Sequence, residues 1–177
     1  MLWFRKLLNW TLMGQSSPRT LDAGDRAPDF ELPLAAGGRR SLAELLEAGP
    51  VLLAFYKASC PTCQLTLPYL ERLQGGRFQV YAVSQNEAEV VHEFNAALEI
   101  NLPTLIDPAE DGYLASNAFG ITHVPTMFLI EQDKSISWAW SGFHKAQLES
   151  LAKRAGRPIF QAADRVPESK FGGGSKN

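Results

Sequence analysis

The 177 residues are 45% hydrophobic, enough for one substantial core, and carry a net charge of −2 and two cysteines. That balance excludes the basic face that nucleic acid requires, and two cysteines are too few for the disulfide framework of a small secreted domain. The expectation is one globular domain over 25–156, preceded by an amphipathic helix and linker over 1–24 and followed by a flexible tail over 157–177.

In chain order, residues 1–13 place Trp3, Leu7 and Trp10 on one helical face with Arg5, Lys6 and Asn9 mostly opposite. Such a segment suits a membrane surface, or docking on its own domain or a partner. It is too short to cross a bilayer and lacks a convincing cleavage pattern, so the location leans cytoplasmic, with membrane-associated or extracytoplasmic as the alternative. Ser, Pro, Gly and charge over 15–25 read as a linker. Residues 28–32 alternate like an edge strand and Gly37-Gly38 supplies a turn. Ser41 with Glu44 forms a capping box for a short helix ended by Gly49-Pro50.

A continuous apolar run over 51–56 predicts a buried strand, and Cys60-Pro61-Thr62-Cys63 opens the helix that follows, which carries Pro68 and stops at Gly75-Gly76. A second core strand is expected over 78–83. Asn86 with Glu89 reads as the cap of a helix presenting Val90, Val91, Phe94 and Leu98, followed by a short strand over 102–106 and a short helix near 113–118. Strands over 126–130 and 136–140 form a hairpin, and a last helix puts Leu148, Leu151, Ala152 and Ala155 on one face before Gly156. Strands alternating with helices and finished by a hairpin predict an α/β fold, a central mixed sheet flanked by helices.

The chemistry lies in the cysteine pair. Residues three apart on a helix are neighbours, with Cα atoms about 5 Å apart, so the two sulfurs can bond each other. Cys60 at the first turn feels the positive end of the helix dipole and unpaired N–H groups, both favouring thiolate, and reads as the nucleophile. Pro61 stiffens the entry without losing a helical hydrogen bond. Cys63, one turn deeper, reads as the resolving thiol. Lys57 is a candidate for lowering the thiol pKa by its charge, and Ser59 for donating a hydrogen bond to sulfur. His92, His144, Trp138 and Trp140 read as structural.

These residues carry a resemblance. The run 51–56, Cys60-Pro61-Thr62-Cys63, Pro68, the segment 119–126 with Val124-Pro125, and Gly142 resemble the thioredoxin-like superfamily. Within it the chain is similar to the redoxin branch, which holds the thiol-disulfide oxidoreductases of the TlpA and ResA type and the AhpC/TSA peroxiredoxins. The segment 86–105 resembles that branch's central insertion. The resemblance implies a thioredoxin-like fold, a cis bond before Pro125, and a Val124 backbone free to pair with an extended substrate. Three positions depart from it. Ser59 replaces the usual tryptophan, Ala54 stands where thioredoxins carry a buried acid, and Lys57 stands where peroxiredoxins place a threonine.

The function expected is reduction or exchange of protein disulfides through a mixed disulfide. It needs no cofactor besides the Cys60-Cys63 disulfide, but does need a protein thiol or disulfide substrate and a recycling reductant. Two alternatives remain: a peroxiredoxin-like thiol peroxidase, and a copper or zinc metallochaperone using Cys60, Cys63 and His123 as ligands.

Overall fold

In the computed structural model, which describes residues 19–174, the domain begins with an antiparallel hairpin of β1 (Glu31–Pro33) and β2 (Arg39–Ser41). Ser41 then caps α1 (Leu42–Glu47). Its hydroxyl accepts from the Glu44 N–H at 3.3 Å, and the Glu44 carboxylate accepts from the Ser41 N–H at 2.7 Å, so two otherwise unpaired donors are satisfied reciprocally.

The strand β3 (Val51–Tyr56) is buried at all six positions, as a strand covered on both faces must be. It leads through a short loop to α2 (Pro61–Glu71), which contains Pro68. β4 (Gln79–Ser84), α3 (Ala88–Leu98), β5 (Thr104–Ile106) and the short α4 (Leu114–Ala118) follow. After them come β6 (His123–Val124), β7 (Thr126–Ile130), β8 (Ile136–Ser141), β9 (Phe143–His144) and α5 (Lys145–Ala155).

Among the described residues the main sheet has five strands in the order β5-β4-β3-β7-β8. The strands β3, β4 and β5 run parallel, and β7 and β8 run antiparallel to their neighbours. This is the mixed α/β sheet that the alternation of elements predicts. Its core is aromatic around β3: Phe55 meets Phe119 at 5.1 Å and Phe128 at 5.9 Å between ring centroids, and Tyr56 meets Phe94 at 5.0 Å. One register places the site. Phe55 pairs with Thr126, so the start of β7 lies beside the end of β3, and the loop carrying Pro125 arrives next to the loop carrying Cys60.

Two expectations are corrected. Asn86 does not cap α3, whose N-terminal residue Glu87 makes no side-chain cap. The Asn86 carboxamide oxygen instead accepts the Ala58 N–H at 2.8 Å. The second correction concerns residues 157–174, read from the sequence as an unstructured tail. Here Ile159 is buried, and Phe160 packs on Tyr69 with ring centroids 5.0 Å apart. Asp164 pairs with Arg72 at 2.5 Å, and two further strands form, β10 (Ser169–Lys170) on β9 and β11 (Gly173–Gly174) on β6. The anchors are isolated apolar and charged side chains spread through a polar stretch, with neither helical nor strand period, so hydropathy patterning does not reveal them. The expected surface helix over 1–13 lies outside the described residues.

Candidate active site

The chain turns from β3 into α2 with Cys60 as the residue that caps the helix. Cys60 has extended backbone angles, and its sulfur accepts the Cys63 N–H at 3.3 Å, doing for the helix what a serine or aspartate oxygen commonly does. Pro61 occupies the first helical turn, where a missing N–H goes unnoticed. The loop before the thiol is braced from three sides. The Cys60 N–H donates to the Lys57 carbonyl at 3.1 Å, the Ala58 N–H to Asn86, and the Gln64 side-chain amide to the Ala58 carbonyl at 2.9 Å.

The two thiols sit in different surroundings. Cys60 retains 6% of its surface and Cys63 none. The Cys60 pKa is pulled down from its ordinary value to about 5, first by the hydrogen bond from the Cys63 thiol and then by backbone N–H groups of Gly173, Cys63 and Thr62, against the opposing effect of burial. The Cys63 pKa is pushed up, first by burial and then because its proton is engaged with Cys60. The pair therefore holds one ready thiolate and one protonated reserve.

Opposite them the Val124-Pro125 bond is cis. Cys60 Sγ lies 3.4 Å from the Val124 carbonyl oxygen, although 64 residues separate them in sequence. The loop is held by the Gly142 N–H donating to the Pro125 carbonyl at 2.8 Å and by the Thr126 hydroxyl, 2.8 Å from the His123 carbonyl and 2.7 Å from the Ser141 hydroxyl. Position 57 enters through its main chain: its carbonyl accepts from Cys60, and its backbone is among the groups acting on Cys63. Ser59 is exposed beside the thiol. His123 is exposed on β6, with Nδ1 3.0 Å from the Thr122 hydroxyl. Among the described residues no three His, Cys, Asp or Glu side chains come together as metal ligands, so His123 does not join Cys60 and Cys63 in such a group here.

Three contributors escape a sequence reading. Asn86 looks like a helix cap, Thr62 acts through its backbone N–H on Cys60 and its hydroxyl on Phe171, and the glycines at 172–173 act through main-chain contacts. A cluster of glycines far from any predicted turn is the one available signal, because Gly also marks places where another backbone comes close.

Comparison with known proteins agrees with this geometry. The AhpC/TSA family model matches residues 23–139. Thiol-disulfide oxidoreductase ResA of Halalkalibacterium halodurans is 33% identical over 119 residues, which is 64% of this chain, and the chain spans 65% of that relative's length. A crystal structure of a putative thiol:disulfide interchange protein DsbE from Chlorobium tepidum shares 28% identity with a TM-score of 0.66, covering 76% of this chain and 96% of that one. The fold is thioredoxin-like, matching at a TM-score of 0.67 the thioredoxin domain of a thiol-disulfide oxidoreductase from Bacteroides vulgatus, which is 20% identical. That match covers 77% of this chain and 99% of the other.

Proposed function

Because the chain belongs to the AhpC/TSA family, we propose that it is a thiol-disulfide oxidoreductase acting on protein disulfides through Cys60 and Cys63. The observation that carries this reading is the split between the two thiols. Cys60 is ionised at neutral pH, and Cys63 is protonated, buried and hydrogen-bonded to it. In the first step the Cys60 thiolate attacks one sulfur of the substrate disulfide, a mixed disulfide forms, and the other substrate sulfur leaves as a thiolate. Cys63 then gives up its proton, which the departed substrate thiolate can take, and attacks Cys60 Sγ. The Cys60-Cys63 bond forms, the second substrate sulfur leaves, and the substrate has gained two electrons that a dithiol reductant must return to the enzyme. Ala54, fully buried on β3, offers no acid to carry the Cys63 proton. Either another group, such as the departing substrate thiolate, takes that proton, or resolution is the slower step and quickens as pH rises.

The test is reduction of insulin disulfides with a dithiol donor. Cys60→Ser abolishes turnover, and Cys63→Ser stops at a mixed disulfide visible by intact mass. Full turnover by the Cys60→Ser protein would sink the reading. Peroxide consumption with a sulfenate trapped at Cys60, and no insulin reduction, would select the thiol peroxidase instead. A redox-buffer titration sets the direction of electron flow and bears on the compartment. A reducing potential fits the cytoplasmic location that the sequence leans to, and an oxidising one fits the extracytoplasmic alternative.

A further inference from the structure

The face where a substrate would approach Cys60 is filled by the chain itself. The Lys145 N–H donates to the Glu168 carbonyl at 2.9 Å, and Ser169 and Lys170 pair with His144 and Phe143. The Thr62 hydroxyl donates to the Phe171 carbonyl at 2.6 Å. Gly173 and Gly174 then pair antiparallel with Val124 and His123, and the Gly173 N–H reaches the Cys60 sulfur. The approach is too close for side chains. A Cβ on Gly172 would lie 2.2 Å from the Val124 carbonyl oxygen, and one on Gly142 would lie 3.0 Å from the Lys170 carbonyl oxygen. The Phe171 side chain, by contrast, is 94% exposed, so the groove binds this segment by its main chain.

An extended peptide carrying a disulfide would need the same edge of β6 and the same approach to Cys60. Residues 168–174 contain no cysteine, so they fill the place and cannot react. We propose that residues 168–174 are a tethered pseudosubstrate that covers Cys60 in the resting protein and is displaced by an extended protein segment bearing a disulfide. Its composition suits reversible occupancy. Three consecutive glycines lose more conformational freedom on ordering than other residues would, so the strap binds weakly, while the tether through Ile159, Phe160 and Asp164 keeps its local concentration high. The oxidoreductase reading supplies the identity of the displacing substrate; the occupancy itself is tested without turnover.

The experiment is the rate of Cys60 alkylation by iodoacetamide at pH 8, where the thiolate is fully formed. It compares the full chain, a chain lacking residues 168–177, and Gly172→Val, whose added side chain cannot fit against Val124. Both altered proteins are expected to react at least tenfold faster. A synthetic peptide of residues 168–177 should slow the truncated protein again in a saturable way, and the same peptide carrying Gly172→Val should not. Equal rates in the three proteins, or peptide protection indifferent to that change, would overturn the proposal. Insulin reduction measured on the same samples separates the two claims: its absence throughout removes the oxidoreductase reading and leaves the alkylation result standing as evidence for a cover over the thiol.

Discussion

Cys60 and Cys63 share one helical turn, and their opposite surroundings have measurable consequences. The folded pKa of Cys60, about 5, lies below that of an unfolded thiol. The stability it contributes is fully present above the unfolded pKa near 9 and is lost as pH falls through 5. Cys63 is displaced upward, so its effect on stability begins only where an unfolded thiol ionises and acts against the fold at alkaline pH. Urea unfolding of the reduced protein should therefore show stability rising from pH 5 to pH 8, and Cys60→Ser should flatten that slope. Alkylation of Cys60 should reach half its limiting rate near pH 5. The same ionisation favours the dithiol over the disulfide at pH 7 by on the order of 3 kcal/mol, moving the couple by on the order of 60 mV in the oxidising direction relative to an ordinary thiol pair.

At the scale of elements, the site depends on two strand ends and one side chain that ties them. Pairing of Phe55 with Thr126 brings the Pro125 loop to the cysteines. Pairing of Tyr56 with Ser84 brings the end of β4 alongside, where Asn86 can take the Ala58 N–H. Asn86→Ala leaves a partly buried donor unpaired and should lower stability by about 1 kcal/mol. Asn86→Asp keeps an oxygen acceptor and should restore most of the stability, whereas equal loss in both variants would dismiss the tie. The main elements were legible because the signals are local: an unbroken apolar run at 51–56, the Ser41 and Glu44 box, and four apolar positions at helical spacing in α5. The role of Asn86 was not, because Asn followed three residues later by Glu fits a cap equally well and only tertiary placement chooses between them.

At the scale of the whole molecule, the cysteine motif and the proline loop could be read from residue types, while the cover over them could not. Residues 157–174 contribute isolated side-chain anchors and then bare main chain, and hydrogen bonds from main chain leave no trace in composition. The expectation for residues 1–13, a membrane surface or docking on the domain or a partner, is an independent matter. Among the described residues no helix is long and apolar enough to cross a membrane. The full chain should float with liposomes on a density gradient and a chain lacking residues 1–13 should not; an unchanged distribution would reject membrane contact by that segment. The position of Gly173 and Gly174 against β6 also bears on how the protein is handled. A bulky group attached close after Gly174 would stand beside His123 and the loop at Cys60, so enzymology on this protein calls for removal of any tag there before assay.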